Sequence, residues 1–456
     1  MSASRRIYVV SNDHVGSSMA GPGIRYLNFA RELRSEGDVT LVVPFETDLE
    51  PDGFDLRVAN VWDPRELGTL VADADCIVAQ RLAVPTMRKL SRTRTRRIYD
   101  LYAPLHIENL AHDAGQGTDR QPAEAAELNR LAEAVVLLTG DAFICASETQ
   151  RDLWLGALLQ AGRVDHASFA RDPSLRRLID VVPFGISIEP PQARERVLRG
   201  VMPGIGEQDR VLIWPGGIWN WFDPLTVIDA VAELARRRDD VRLVFLGLRH
   251  PNPFVPAMRM ASKAVARAEE LGVRDRAVFF NEGWVPYEQR GDYLLEADLG
   301  VSAHFDDLES RFAFRTRLLD CFWASLPVVT TSGDVLGDLV ERRGLGCAVA
   351  PGDVAGWVAA LESLLDDADA YERARAATAS VRSDYAWPHV VEPLRRMARE
   401  PGAPVASSRT VLPSASWIGW RVRHAVADRG AVGAATRVAQ LATRRVSRRA
   451  LPWSRR

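Results

Sequence analysis

Apolar runs alternate with amphipathic segments along most of the chain, which is typical of a parallel β-sheet wrapped by helices. The runs are almost continuously hydrophobic, as expected for strands that are covered on both faces. The alternation falls into two series, one ending near residue 183 and one starting at residue 211. For the first series the pattern predicts strands at 6–11, 39–44, 76–80, 97–102, 142–146 and 180–183, with helices at 24–35, 122–138 and 148–160.

The second series repeats this alternation and completes the predicted architecture. The fold class is α/β, with two Rossmann-like doubly wound parallel-sheet domains facing a cleft, where ligands of such sheets are expected to bind. We expect an N-terminal domain over 1–188, a C-terminal domain over 189–385, a crossover helix over 386–399, and a linker and basic tail over 400–456. The second series predicts strands at 211–215, 242–246, 277–280, 299–303 and 327–331, with helices at 224–237, 254–271, 286–296, 313–325 and 353–365.

Composition supports two ordinary globular domains and separates the tail from them. The chain has 456 residues, 47% of them hydrophobic and 26% charged, so more than one core is expected. The net charge of −2 hides an asymmetry, because eleven arginines and one aspartate after residue 400 give +10 and leave −12 for the rest. Nucleic acid is therefore not an expected partner of the acidic body.

The tail has two open interpretations. Its arginines could lie in an anionic headgroup layer, with Trp417, Trp420 and Trp453 at the interface. Its thin apolar face is interrupted by Gly430 and Gly433, which favours a solubilising role instead. The first interpretation predicts a cytoplasmic protein at the inner face of the plasma membrane, and the second predicts a cytoplasmic protein only.

The remaining bulk features agree with a cytoplasmic location. Four cysteines lie far apart, which predicts reduced thiols and neither a zinc site nor a disulfide framework. No apolar run approaches the roughly 18–20 residues that span a bilayer. The first six residues lead directly into a strand, so we expect no signal peptide.

The segment 309–327 carries the densest candidate chemistry. Free backbone N–H groups at a helix start favour anions, and here guanidinium and hydroxyl groups gather at the start of the predicted helix 313–325. A carboxylate one turn inside could bind a pair of sugar hydroxyls, so the segment predicts a nucleoside diphosphate site. The residues are Arg311, Arg315, Thr316, Arg317 and Asp320. The alternative is a surface ion pair between Arg317 and Asp320, which would stabilise the helix by about 0.3 kcal/mol.

In each series, a glycine-rich loop follows the first strand. Gly21 and Gly23 permit close approach of a ligand, and Arg25 in the next helix could reach an anion. Gly216 and Gly217 do the same in the second loop, where two tryptophans flank Asn220. The alternatives are a turn whose arginine supports the fold and simple helix capping.

Polar residues also follow two other strands. Asp100 and His106 could hydrogen-bond sugar hydroxyls or handle a proton, although a lone histidine is more often structural. His304 and Glu309 flank the adjacent carboxylates 306–307, which have no third hard ligand at suitable spacing. We therefore predict no metal site.

Short motifs in their order along the chain indicate a family. The chain resembles the GT-B glycosyltransferases, specifically the large retaining family known as glycosyltransferase group 1 or family four, over roughly residues 6–399. The motifs are Gly-Pro-Gly-Ile-Arg at 21–25, Val-Pro-Phe-Gly-Ile at 182–186, Pro-Gly-Gly at 215–217, Asn-Glu-Gly-Trp-Val-Pro at 281–286, Ala-Ser-Leu-Pro-Val-Val at 324–329 and Tyr-Ala-Trp-Pro-His-Val-Val at 385–391.

The resemblance implies a sugar transferred with retention from a nucleotide diphosphate-sugar to a glycan or lipid-linked acceptor, in cell-envelope or polysaccharide assembly. It implies a donor held mainly by the C-terminal domain, an acceptor held mainly by the N-terminal domain, and neither metal nor cofactor. Retention in this family is described as front-face departure and attack, so no protein nucleophile is assigned. The alternatives are an epimerase or phosphorylase on the same fold, or a non-catalytic sugar-nucleotide-binding protein.

Departures from the family pattern affect individual residues. The second acid of the family's Glu-x7-Glu signature falls at Asp320, but the first falls at Phe312, three residues after Glu309. The family's basic pair in the phosphate loop falls at Gly217 and Phe222. The family's histidine after the fourth strand is matched by Asp100.

These departures lead to the following expected roles. We expect Arg315 or Arg317 to neutralise the phosphates, Asp320 to bind the ribose, and His304 and Glu309 to contact the donor sugar. Gly21, Gly23 and Arg25 are expected to face the diphosphate or acceptor across the cleft. Donor contacts are also expected from Gly216, Gly217, Asn220, Arg311 and Thr316, and the candidates for catalysis are Asp100, His106 and Glu309.

Overall fold

The computed structural model of the protein describes residues 4–113, 120–250, 252, 255 and 258–404, without the side chains of 112–125. The predicted basic tail therefore lies outside the described residues, apart from 400–404. Within these ranges no helix has both the length and the apolar character needed to cross a membrane.

The N-terminal half forms a parallel sheet. Seven strands of the described chain lie in the order β3-β2-β1-β4-β5-β6-β7, with β1 paired to β2 on one side and β4 on the other. Their side chains are largely buried on both faces, as the continuous apolar runs predict. The strands are β1 Arg6–Val10, β2 Asp38–Val43, β3 Asp55–Val58, β4 Cys76–Ala79, β5 Arg96–Asp100, β6 Ala142–Cys145 and β7 Ile179–Val181.

The C-terminal half forms a second parallel sheet. Six strands of the described residues lie in the order β10-β9-β8-β11-β12-β13. The edge strands β3 and β13 were not predicted from the sequence, because β3 is half polar and mostly exposed and β13 is short and built mainly of small residues. The strands are β8 Arg210–Gly217, β9 Val241–Gly247, β10 Val278–Phe280, β11 Leu299–Ser302, β12 Val328–Thr331 and β13 Gly346–Val349.

Helices cover both sheets, and the one expected over 313–325 differs from the prediction. Extended backbone at Ala313 (φ −71°, ψ 156°) separates two short helices. The helices are α1 Gly21–Glu32, α2 Glu66–Leu70, α3 Val84–Leu90, α4 Leu105–Asp113, α5 Arg120–Thr139, α6 Glu148–Gln160, α7 His166–Arg171, α8 Pro224–Leu234, α9 Arg259–Glu270, α10 Arg290–Leu295, α11 Leu308–Phe312, α12 Arg317–Trp323, α13 Val335–Arg343, α14 Val354–Asp366, α15 Ala368–Ser380, α16 Trp387–Val390 and α17 Glu392–Arg399.

The end of the described chain returns to the N-terminal sheet. β7 ends at Val181 and β8 begins at Arg210, so the boundary predicted at 188/189 falls in the connecting segment. Ion pairs hold helix α17 against the N-terminal half, for example between Arg396 and Asp180 at 2.5 Å. A crossover helix was predicted here.

Hydrogen bonds also join the two halves where the strands end. The Tyr287 N–H donates to the Ser17 carbonyl at 2.8 Å, and Gln150 Nε2 donates to the Phe312 carbonyl at 2.8 Å. The carboxyl ends of the two sheets therefore face each other across a narrow, partly bridged cleft.

Candidate functional site

A cavity of about 410 Å³ opens between the two sheets, at the carboxyl ends of their strands. This is where ligands of open α/β sheets bind. Both domains contribute polar groups to its wall. The sequence-predicted residues that line it are Gly21, Gly216, Gly217, Glu309, Arg315, Thr316, Arg317 and Asp320.

Arg317 is the cation best placed for an anion in this cavity. Its Nη2 donates to the Gly217 carbonyl at 2.8 Å, and its guanidinium lies 3.8 Å from the centre of the Phe222 ring. Its Nη1 is buried without a hydrogen-bond partner among the described residues. Burial, reinforced by the positive charge of Arg315, lowers the pKa of Arg317 to about 9, so the group stays charged at neutral pH. An anionic ligand would satisfy the free donor.

The glycine loop above Arg317 leaves its backbone open. Gly216 has φ +99°, a conformation that side chains rarely adopt, and a Cβ there would meet nothing within 4 Å. A Cβ on Gly217 would lie 3.2 Å from the Trp284 ring. Gly216 therefore leaves room for a ligand to approach the main chain closely, whereas Gly217 packs against Trp284.

Asp320 lies on the first turn of α12, next to an arginine that the sequence analysis missed. Arg290 Nε is 3.4 Å from Asp320 Oδ1, and the Arg290 guanidinium lies 3.9 Å from the centre of the Tyr287 ring. Burial raises the pKa of Asp320, while Arg290 and Arg317 oppose that rise. Nothing in the sequence near residue 290 indicated this contact, because it joins segments 30 residues apart.

Glu309 and Arg315 form a buried two-point ion pair. Arg315 Nη1 and Nη2 donate to the two Glu309 carboxylate oxygens at 3.1 and 2.6 Å, and both side chains are only 3% exposed. Arg315 Nε also lies 3.5 Å from Asp334 Oδ2. The charge of Arg315 is therefore already balanced within the protein. Of the two arginines expected to meet the phosphates, Arg317 is the better placed.

His304 supports this network and does not line the cavity. Its side chain is 1% exposed, with Nε2 3.5 Å from Asp334 Oδ2 and Nδ1 3.0 Å from the Phe305 carbonyl. Burial and the nearby Arg315 charge lower the pKa of His304. The prediction that His304 contacts the donor sugar is not supported by this placement.

Three further predicted residues lie away from the cavity wall. Asn220 Oδ1 accepts the Met260 N–H at 3.1 Å, which places it at the start of a helix. Arg311 is exposed, with its guanidinium over the Phe312 ring. A Cβ on Gly23 would lie 2.2 Å from the His14 carbonyl, so Gly23 is required for chain packing.

The prediction that Arg25 faces the cleft is wrong. Arg25 Nε and Nη2 donate to the Asp100 carboxylate at 2.7 and 3.0 Å, and both side chains are fully buried. The remaining donors reach the Val182 and Pro183 carbonyls. Asp100, expected as a candidate for catalysis, has both oxygens occupied inside the domain. The pair holds α1, β5 and the residues after β7 together.

On helix α4 the structure brings Glu108 to the cavity in place of His106. Leu105 and Glu108 line the wall, because a three-residue spacing puts them on one helix face. His106 lies outside the wall, with Nδ1 buried and unbonded within the described chain. Burial and the negative charge of Glu309 raise the pKa of Glu108 to about 8, and Arg315 opposes this.

A row of rings lines the C-terminal side of the cavity. Trp219 and Trp221 are stacked with centroids 5.2 Å apart and planes 10° apart. His250 lies 5.4 Å from both Trp219 and Trp284. The two tryptophans that flank Asn220 thus belong to a surface on which planar or sugar rings can stack.

The described ranges contain no group of three or more His, Cys, Asp or Glu residues placed to hold a metal ion. Metal and cofactor independence stay predictions.

Two facing Rossmann-like domains with a polar cleft between their strand ends define the GT-B fold. Residues 209–367, which contain the Gly216–Gly217 loop and Asp320, match the family described as Glycosyl transferases group 1. The predicted resemblance to group 1 GT-B glycosyltransferases is thereby confirmed.

Among curated proteins, the chain is similar to a glycogen synthase of Mycobacterium tuberculosis (strain CDC 1551 / Oshkosh). The identity is 44% over 70 residues, which are 15% of this chain and 17% of the relative. The chain thus matches about a sixth of the length of that relative.

Solved structures with this fold cover most of the chain. Sucrose-phosphate synthase from Thermosynechococcus elongatus has a TM-score of 0.60 and 14% identity, covering 87% of this chain and 98% of its own. Anabaena HepE in complex with UDP and glucose has a TM-score of 0.59 and 15% identity, covering 86% and 98%. WaaG, a glycosyltransferase involved in lipopolysaccharide biosynthesis, has a TM-score of 0.54 and 15% identity, covering 86% and 98%. At such identities the likeness establishes the fold.

Proposed function

We propose that this protein is a glycosyltransferase that uses a nucleotide diphosphate-sugar donor. It transfers the sugar with retention, and without a metal, to a hydroxyl of a glycan or lipid-linked acceptor in cell-envelope or polysaccharide assembly. The proposal rests on one observation: the buried Arg317 guanidinium lies beneath the Gly216–Gly217 backbone with its Nη1 unbonded among the described residues. An anion of diphosphate size is the ligand that this arrangement would stabilise most.

The ribose site is proposed beside that cation. Asp320 lines the same cavity three residues after Arg317, and its carboxylate can accept hydrogen bonds from two neighbouring hydroxyls. Arg290 at 3.4 Å helps to keep it ionised despite burial. UDP in the described complex of Anabaena HepE supports a nucleoside diphosphate as the ligand class.

The leaving diphosphate would be stabilised electrostatically. Arg317 is already fixed by its bond to the Gly217 carbonyl, so little reorganisation is needed as negative charge develops. Helix α12 has only seven residues, so the guanidinium and the loop amides carry more of this stabilisation than the helix start. Glu309, fixed by Arg315, lines the cavity and would contact the donor sugar.

The acceptor and the biological setting are inferred more broadly. WaaG shares the fold and is described as acting in lipopolysaccharide biosynthesis, which supports an envelope role. The stacked rings of Trp219 and Trp221 suit a sugar-containing ligand.

The test is a calorimetric titration of the full chain with UDP, GDP and ADP, each with magnesium and with EDTA. We expect one nucleoside diphosphate to bind with similar affinity in both conditions. The matching nucleotide-sugars are then incubated with the protein, and the anomeric configuration of any product is read by NMR. Absence of nucleotide binding would refute the donor site, and an inverted product would refute retention.

A further inference from the structure

Glu108 is a polar residue in the cleft that has no role in the proposed donor site. It lies on α4 of the N-terminal domain and lines the cavity. Helix α4 packs against α11, which carries Glu309 on the C-terminal side. Carboxyl groups from both domains, Glu108 and Glu309, therefore line the same cavity.

The two carboxyl groups are in unlike surroundings. Burial raises the pKa of Glu309, and the charge of Arg315 together with its two hydrogen bonds opposes this rise. No hydrogen bond within the described chain contributes to the state of the Glu108 carboxyl, which is governed by burial and by the charges of Glu309 and Arg315. Burial and the negative charge of Glu309 both favour the protonated form of Glu108, and they raise its pKa to about 8.

Among the described residues near α4, the other titratable groups include a buried phenol and a surface ion pair. The Tyr102 phenol precedes the helix, and burial raises its pKa further above the ordinary value. On α5, Glu127 and Arg130 pair with each other at 2.7 Å at the surface. A neutral carboxyl group carries one O–H donor and an acceptor oxygen, and it does not repel an anionic donor in the same cleft.

We propose that Glu108 is the hydroxyl-binding residue of an acceptor site on the N-terminal side of the cleft, where its neutral carboxyl group hydrogen-bonds a sugar hydroxyl. This inference rests on the proposed function and adds the acceptor contact to it. Glu108 binds the acceptor as a neutral group and is assigned no proton transfer.

The test uses the full chain saturated with the nucleoside diphosphate that the wild type binds. Octyl β-glucoside is titrated calorimetrically as the probe of the acceptor site, against wild type, Glu108→Ala and Glu108→Gln. We expect Glu108→Ala to weaken probe binding by about 10- to 100-fold, the loss typical of a buried hydrogen bond. We expect Glu108→Gln, which keeps a donor and an acceptor, to recover most of that loss.

A pH series distinguishes binding by a neutral Glu108 carboxyl group from binding by an ionised one. Wild-type probe affinity should fall above pH 8 as the carboxyl ionises, and the affinity of Glu108→Gln should stay level. Glu127→Ala, at the exposed pair on the neighbouring helix, is the matched control and should bind like wild type. Unchanged nucleotide affinity in Glu108→Ala shows that the variant is folded.

Three results would overturn the inference: no probe binding by the wild type, equal probe affinity in Glu108→Ala, or wild-type affinity that rises through pH 8. The proposed function fails separately, because its failure appears as absent nucleotide binding before any probe is added.

Discussion

Arg317 donates a hydrogen bond from Nη2 to the Gly217 carbonyl oxygen over 2.8 Å, joining residues 100 positions apart in the chain. The bond fixes the guanidinium beneath the glycine loop, and the Phe222 ring packs against its face. Nη1 is left buried and unbonded among the described side chains. A charge whose position is set before the ligand arrives stabilises an anion without the cost of ordering a long side chain.

Replacing Arg317 should therefore weaken nucleotide binding. We expect Arg317→Ala to lower the affinity for the preferred nucleoside diphosphate by about 10- to 100-fold, the loss typical of a charge-assisted hydrogen bond. Arg317→Lys should recover only part of this, because an ammonium cannot hold the Gly217 carbonyl and a phosphate in the same fork. Isothermal calorimetry measures both. Arg311→Ala removes an exposed arginine outside the cavity and should leave the affinity unchanged; an equal loss there would contradict the assignment.

Asp320 gives a second prediction, on the ribose. We expect wild type to prefer the nucleoside diphosphate over its 2′-deoxy analogue, and Asp320→Ala to lose about 10-fold in affinity for the ribose form alone. The two ligands should then bind the variant equally well. If Asp320 acts only by holding Arg290, both ligands would weaken by the same factor and the preference would survive. Calorimetry with the two ligands distinguishes these outcomes.

The two-domain alternation and the shared helix turn of Arg317 and Asp320 could be predicted from the sequence, because both are local. A three-residue spacing places Arg317 and Asp320 on one turn of a helix, whatever surrounds it. Arg290 could not be predicted in this way, because its contact with Asp320 depends on how α10 packs near α12. Long-range packing decides such pairs.

Arg25 and Asp100 were predicted as site residues, and the structure buries both of them. Each has the residue type and strand-end position of a site residue, yet they lie 75 residues apart and neutralise each other at 2.7 Å inside the domain. Local chemistry indicated function, and burial decides that they are structural.

Breaking the Arg25–Asp100 pair should therefore destabilise the protein. Arg25→Ala would leave a fully buried carboxylate without its partner, at a cost of about 3–5 kcal/mol in free energy of unfolding. Arg25→Met combined with Asp100→Leu should recover much of this, because no buried charge remains. Urea unfolding followed by circular dichroism measures the stability. If Arg25→Ala were as stable as wild type but lost nucleotide binding, the pair would belong to the site after all.

Glu133 makes a prediction about the pH dependence of stability. Burial on α5 raises its pKa from 4.5 to about 7, and the positive charge of Arg81 opposes the rise. The folded state therefore holds this proton more tightly than the unfolded state does. The contribution of protonated Glu133 to the free energy of unfolding is full below pH 4.5 and is lost as pH rises through 7. Allowing for partial solvent screening, the loss is roughly 1–3 kcal/mol.

Glu133→Gln should flatten this part of the profile. The amide cannot ionise, so the difference in urea-unfolding free energy between pH 5 and pH 8 should shrink by roughly 1–2 kcal/mol relative to wild type. The matched control is Glu127→Gln, two turns away on the same helix, where Arg130 lowers the pKa of the exposed carboxyl instead. That substitution should leave the difference between pH 5 and pH 8 unchanged, because Glu127 is ionised at both values. A Glu133→Gln profile parallel to wild type would mean that water reaches Glu133 and keeps its carboxyl ionised in the folded protein.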